Sequence, residues 1–277
     1  MFLFIGLVII LVGVIVVVYG LIEAGRIRIT RLELEFEKLP EAFDGFQFVH
    51  ISDLHLRRFG LLEKQLVEKL KNLQPKFILM TGDFKLSQYT DNTKVIKAVR
   101  KILGGLDSEC SFICIRGNHD KRGFINELKK LSVIYLHNEH YKLSIGEDEV
   151  YVLGVSKSYP NKRNQGVLKL RKAKEGLRED AFKILLAHTP EYMPIAKDEK
   201  IDLVLAGDTH GGQVRLPLLG TLALIIRFKT PLKYSMGLVK ENDTILYTNR
   251  GIGTRGIPIR ILCPPEIAVI TLRKKCL

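Results

Sequence analysis

The chain reads as an α/β body behind one membrane-spanning helix, and three observations point there. Five apolar runs, FQFVHIS, FILMT, SFICIR, KILLA and DLVLA, are too short for helices and each closes on a polar fragment. Their β-branched, aromatic and long aliphatic residues mark them as buried strands. Helical periodicity fills the gaps between several of these runs. Finally, every residue from Phe2 to Ile22 is apolar, Gly or Tyr, roughly the length that crosses a bilayer as a helix.

Taken in order, the N-terminal stretch has no basic residue before it and no small-residue cleavage site after it, so it predicts an anchor rather than a removable signal peptide. A buried core helix is the alternative, disfavoured because such a helix normally keeps a polar face. Arg26, Arg28 and Arg31 follow at once. The preference for basic residues on the inner side then puts the body in the cytoplasm at the inner membrane, with Glu23, Glu33, Glu35 and Glu37 carrying little weight. The expected division is an anchor over residues 1–25 and one domain over 26–277. ITRLELEFE alternates apolar and charged residues, as a half-exposed strand does. Helices are expected at Leu61–Leu73, Thr93–Leu103 and Phe124–Leu131, each between strand candidates. Val133–Val155 reads as short strands around a turn at Gly146, and the basic stretch from Asn161 to Arg178 as carrying a helix. After His210 come Gly and Pro punctuation and three more strand-like runs, KYSMGLV, TILYTNR and EIAVITL. No repeat or linker divides the body.

A chain of 277 residues can bury a full single core. Lys and Arg outnumber Asp and Glu 43 to 30, a formal charge of +13, and the pI is near 9.5. That surplus favours anionic partners: phosphorylated substrates, acidic lipid headgroups or nucleic acid. No basic motif interleaved with aromatics is present, so nucleic acid ranks below the other two. Cys110 and Cys114 flank a strand and would stand about 13 Å apart, beyond disulfide reach. With Cys263 and Cys276 they lack the paired spacing of structural zinc sites. Idle thiols fit a reducing compartment.

The chemistry sits in the fragments that close the apolar runs: Asp53-Leu54-His55, Gly82-Asp83, Gly117-Asn118-His119-Asp120, His188-Thr189-Pro190 and Gly207-Asp208-Thr209-His210. In α/β folds ligands gather at strand ends, so these groups meet if the strands lie side by side. Two cations about 3.5–4 Å apart can clamp a phosphoryl group and stabilise in-line displacement. Such a pair needs a bridging carboxylate, nitrogen and oxygen donors on both sides, and a proton donor for the leaving oxygen. Asp53 and His55, two apart at a strand end, would face one side and grip one ion. Asp83 is free to bridge because Gly82 permits a close turn. Asn118 offers a neutral oxygen, while His188, Asp208 and His210 complete the set. His119 is the natural general acid. Singly, Asp53, Asp83 or Asn118 would be an ordinary turn former or helix cap. His50, His137 and His140 lack comparable neighbours and read as structural or surface residues. The glycines of GDTHGGQ need only form a tight turn, and GIGTRG does not have dinucleotide-binding spacing.

These motifs, in this order from Val49 to Val214, resemble the calcineurin-like metallophosphoesterase family. The later stretch RGIGTRGIPIRILCPPEIAVITL is similar to the closing segment of its bacterial, often membrane-anchored phosphodiesterase branch, which includes UDP-2,3-diacylglucosamine pyrophosphatases of lipid A synthesis. The resemblance implies a two-sheet β-sandwich flanked by helices with a dinuclear centre at one end. One metal would take Asp53, His55, Asp83 and His210; the other would take Asp83, Asn118, His188 and Asp208. His119 would serve the leaving oxygen, with Asp120 holding its ring. Asp208 stands where the family commonly has His. A carboxylate there favours Mn²⁺, Mg²⁺ or iron over Zn²⁺, making two Mn²⁺ ions the expected cofactors. Arg116, directly before the GNHD fragment, either meets a substrate phosphate or is an exposed strand-end residue.

The anchor, the basic surplus and the apolar run Leu216–Phe228 together favour an amphiphilic pyrophosphate or phosphodiester as substrate, with UDP-2,3-diacylglucosamine the named candidate. That run is either a core element or a segment meeting the membrane or acyl chains. Two alternatives remain open: a general or nucleotide phosphodiesterase tethered for other reasons, and a non-catalytic scaffold whose metal site is weakened by Asp208.

Overall fold

A computed structural model describes residues 1–156, 163–216, 221 and 230–275 of the chain. The run Leu216–Phe228 lies almost wholly outside the described residues, as do Asn161, Lys162 and Cys276. Helix α1 (Phe2–Ala24) is free of the body over most of its length; only Gly20, Glu23 and Ala24 are buried. Its remaining apolar side chains face outward, which excludes a core helix.

Among the described residues two six-stranded sheets follow. The first comprises β1 (Arg28–Phe36), β2 (Gln47–Ile51), β3 (Phe77–Met80), β4 (Ser111–Cys114), β5 (Ile134–Tyr135) and β12 (Glu266–Lys274), in the order β1-β12-β2-β3-β4-β5. The second comprises β6 (Glu139–Ile145), β7 (Asp148–Gly154), β8 (Phe182–Leu186), β9 (Leu203–Ala206), β10 (Gly237–Glu241) and β11 (Thr244–Thr248), in the order β10-β11-β9-β8-β7-β6. Strands β2 to β5 run parallel, as do β7, β8, β9 and β11. Antiparallel hairpins close both edges of the second sheet. A parallel arrangement puts the carboxyl ends of the central strands on one side, and those are the ends that carry the polar fragments.

Alternation along each strand divides the core. Phe48, Leu79 and Ile113 point between the sheets, against Ile184, Leu186, Leu203 and Leu205 of the facing sheet. Their neighbours Val49, Ile51, Ile78, Met80, Phe112 and Cys114 point outward, under α2 (Leu61–Leu73), α3 (Asn92–Leu103) and α4 (Arg122–Leu128). Leu153, Leu185 and Val204 likewise face α5 (Arg163–Ala173) and α6 (Met193–Asp198). Strands buried on both faces explain why the runs read as continuously apolar. Each fully buried aliphatic or aromatic side chain contributes about 1.5–3 kcal/mol before entropy.

The expected helices are all present, with α4 starting earlier than Phe124. The run KYSMGLV is a strand only from Gly237; before it, Leu232–Tyr234 forms a 3₁₀ turn behind Pro231. Cys110, Cys114 and Cys263 are free thiols.

Candidate metal centre

The carboxyl ends of β2, β3, β4, β8 and β9 supply the site, so it straddles both sheets. Pairing between β2 and β3 continues past the strands into the loops. The Asp53 amide donates to Gly82 O (3.0 Å), that of His55 to Asp83 O (3.1 Å) and that of Leu56 to Phe84 O (2.7 Å). Beneath them Thr81 Oγ1 donates to Ser52 Oγ (2.7 Å) and meets His50 Nε2 at 3.1 Å. Burial depresses the His50 pKa to about 3, so this ring is a neutral brace.

Asp53 and His55 do not share a strand face as their spacing suggested. β2 ends at Ile51, and both residues sit in the loop beyond it with left-handed backbone, φ 50° and 45°. Asp83 (φ 57°), Asp208 (φ 65°) and His210 (φ 52°) share that conformation. A non-glycine residue held there costs roughly 1–3 kcal/mol and persists only where its surroundings over-determine it. The surroundings here leave no choice. A Cβ on Gly82 would strike the backbone of Gly117, and one on Gly207 would strike Ser52 and the Asp53 carboxylate.

The side chains form two groups that share Asp83. In the first, Asp53 Oδ1 lies 3.8 Å from both His55 Nε2 and His210 Nε2, which are 3.0 Å from each other. In the second, His188 Nε2 lies 3.2 Å from Asp208 Oδ1, and Asn118 Nδ2 donates to that oxygen at 2.6 Å. Asp83 Oδ2 is 3.8 Å from His55 Nε2 and 3.5 Å from His188 Nε2. One carboxylate oxygen thus reaches both groups. All of the ligands predicted from sequence, Asp53, His55, Asp83, Asn118, His188, Asp208 and His210, come together.

The donor set fits divalent cations. His188 Nδ1 donates to Thr81 O at 2.8 Å, which leaves the Nε2 lone pair facing the centre. Asp53 Oδ1, Asn118 Oδ1 and His188 Nε2 are buried without a hydrogen-bond partner. Such orphaned acceptors are rare unless something else satisfies them. The facing Nε2 atoms of His55 and His210 have the spacing of two ligands about 2.1 Å from one ion.

Electrostatics agree. Burial, opposed by His188 and reinforced by Asp83, lifts the Asp53 carboxyl to about 7. Burial lowers His55 to about 4 and His210 well below its ordinary value, with the neighbouring ring and Arg260 adding to the fall at His210. Burial resists ionisation of Asp83, but His188, His55 and His119 outweigh it and hold that carboxyl low. His188 is pushed the other way: Asp83 and Asp208 overcome burial and raise it. Carboxylates and imidazoles crowded this closely need added positive charge, which protons or cations can supply.

His119 is at the edge of the cluster, its side chain 20% exposed and its Nε2 3.8 Å from Asp83 Oδ2. Burial lowers its pKa, with Arg255 adding to the fall and Asp83 opposing it. Asp120 departs from expectation. Its carboxylate accepts the backbone N–H groups of Gly117 (2.9 Å), Phe84 (3.2 Å) and Lys85 (3.2 Å), and so ties two ligand turns together rather than holding the His119 ring. An Asp three residues after a turn amide it can reach satisfies that buried amide, and those of the adjoining turn, before a ring. The charge of Arg116 acts on Tyr135 and His137: burial raises the Tyr135 hydroxyl to about 12 against it, and burial lowers the His137 ring with it.

Sequence reasoning missed the segment 249–263 as part of the site. The amides of Ile252 and Gly253 donate to Ser52 O (3.0 Å) and Asp53 O (2.7 Å), and Asn249 Nδ2 to His50 O (3.1 Å). Arg260, fully buried, gathers the carbonyls of Arg250, Gly251, Gly253 and Cys263 and approaches His210 Nδ1 at 3.4 Å. Its signal was only an Arg inside an apolar, Gly- and Pro-rich stretch.

Residues 46–212 match the calcineurin-like phosphoesterase family, more than half of the chain. The chain belongs to that family. Among its relatives, the uncharacterised metallophosphoesterase YkuE of Bacillus subtilis is 30% identical over 262 residues, covering 91% of this chain and 87% of the relative. The phosphodiesterase YaeI of Escherichia coli is 29% identical, over 90% of each chain. A zebrafish (Danio rerio) transmembrane protein with a metallophosphoesterase domain is 29% identical over 95% of this chain and 62% of its own length. This metallophosphoesterase is therefore a metal-dependent hydrolase with a two-sheet α/β fold. Its first helix is long and apolar enough to cross a membrane.

Proposed function

We propose that this metallophosphoesterase cleaves phosphodiester or pyrophosphate bonds of amphiphilic substrates at the cytoplasmic face of the inner membrane. UDP-2,3-diacylglucosamine is the named candidate and two Mn²⁺ ions the preferred cofactors. The observation that carries the reading is Asp83, whose single oxygen faces both ligand groups. Bound cations would supply Lewis acidity to the phosphoryl group. Asp53, His55, His210 and Asp83 would hold one, and Asp83, Asn118, His188 and Asp208 the other. Asp208 in place of a neutral ring adds negative charge, which suits Mn²⁺ or Mg²⁺ better than Zn²⁺. His119, partly exposed beside Asp83, donates a hydrogen bond to the leaving oxygen. A net charge of +13 attracts acidic headgroups and phosphorylated substrates to the protein. Arg26, Arg28 and Arg31 support the cytoplasmic orientation.

The test is a substrate panel on detergent-solubilised, Mn²⁺-loaded full chain: UDP-2,3-diacylglucosamine, cyclic nucleotides, phosphomonoesters and a soluble aryl phosphodiester. Preference for the lipid-linked pyrophosphate is expected, and a preference for cyclic nucleotides would favour the tethered nucleotide phosphodiesterase. Asp83→Asn should lower turnover more than about 100-fold and reduce bound metal from two equivalents. Unchanged turnover in that variant would refute the bridging role.

A further inference from the structure

We infer that α1 forms a wall of the substrate site, and that the cleft between it and the His210 loop receives an acyl chain of a membrane lipid whose phosphate lies over the metal centre. This deepens the proposed function and rests on it.

The base of α1 is docked onto the body. Gly20 packs against Ile259, where any side chain on residue 20 would collide. The Arg260 amide donates to Gly20 O (3.0 Å) and the Cys263 amide to Glu23 Oε1 (2.7 Å). Cys263 Sγ in turn donates to His210 O at 3.2 Å. The helix base is therefore two contacts from a metal ligand.

One turn further along the same helix face, Val16 and Val17 stand clear of the body and enclose a cleft of about 490 Å³, within the size range of ligand pockets. Its opposite wall is Val214, Ile257, Ile259 and Ile261; its inner end is His210, with Arg255 alongside. Most of the lining side chains are apolar, with Thr209, His210, Gln213 and Arg255 its polar groups, a balance that suits an acyl chain joined to a phosphate.

The setting is that of a membrane surface. Val16 and Val17 lie roughly 15 Å along the helix from Arg26, deep enough to meet hydrocarbon. The opposing wall is braced as a small platform: Arg215 N donates to Ile261 O (3.0 Å), and Gln213 Nε2 donates to Ile257 O (2.8 Å) and Ile259 O (3.1 Å). Ile257 is 68% and Leu262 50% exposed beside this platform, which suits insertion among acyl chains rather than water. Arg255 lines the cleft together with His210. A guanidinium there can take the charge of a phosphate while the tail runs outward.

A homologous series of alkyl p-nitrophenyl phosphates, butyl to hexadecyl, isolates the tail because the scissile bond never changes. The protein is the Mn²⁺-loaded full chain in nanodiscs. In the unmodified protein kcat/KM should rise by about tenfold or more along the series. Val17→Trp and Val16→Trp, which fill the cleft, should flatten that rise, whereas Ile9→Trp on the free part of α1 should keep it. A rise retained in both cleft variants, or absent from the unmodified protein, overturns the inference. Loss of turnover on every ester would fall instead on the hydrolase reading. The cleft is then decided without turnover, by crosslinking phosphatidic acid with a diazirine-bearing tail. Labelling of residues 255–261 that Val17→Trp removes supports the inference; labelling elsewhere only overturns it.

Discussion

Asp120 shows how a residue beside a catalytic fragment can act entirely through the backbone. Its two oxygens accept three buried amides from the turns carrying Asp83 and Asn118. An orphaned buried donor costs about 1–3 kcal/mol. Asp120→Ala should therefore lower unfolding stability by at least about 3 kcal/mol, read from the urea midpoint at constant slope. A variant of unchanged stability and reduced turnover would restore the ring-holding role. The seven candidate ligands were legible in the sequence because each closes an apolar run and differs chemically from it. The left-handed backbone of five of them, Asp53, His55, Asp83, Asp208 and His210, was not legible: Asp and His enter that region more readily than most residues, yet only a small fraction of them do.

The elements between the ligands were largely legible too. α2 and α3 follow their apolar periodicity, and the buried parallel strands are the apolar runs. What the runs could not show is how tightly the loops beyond them interlock. The turn after β3 passes so near the turn after β4 that Gly82, at φ 98°, has room for no side chain. Gly82→Ala should destabilise the protein by about 2 kcal/mol and displace Asp83 from both ligand groups. Calorimetry and Mn²⁺ stoichiometry would register the two effects. A variant with full metal content would show that the loops can yield. Helix α1 was recognisable from its length and composition, but its docked base, through Gly20 and Glu23, has no counterpart in a hydropathy pattern.

The metal centre joins the two sheets of the whole molecule, with Asp53, His55, Asp83 and Asn118 from the first and His188, Asp208 and His210 from the second. Divalent cations should consequently act as a clasp between layers. Without them the crowded Asp53, Asp83 and Asp208 are offset by bound protons and by the Arg260 guanidinium. Mn²⁺ at a hundredfold excess over its dissociation constant stabilises by about 2.7 kcal/mol, which for a body of this size raises Tm by roughly 5–10 °C. Chelation should reverse the rise and readdition restore it, as followed by thermal unfolding in detergent. A Tm indifferent to metal would separate the cluster from any clasping role.

The sequence alone determined the element types, the candidate ligand residues and the presence of an apolar helix, because each is written in local pattern and chemical type. Tertiary structure alone decided which ligands share a group, that segment 249–263 braces them, and that Asp120 serves amides. It also decided that α1 borders the site. Those facts depend on the packing of loops remote in the chain, and residue spacing carries no record of which remote backbones will touch.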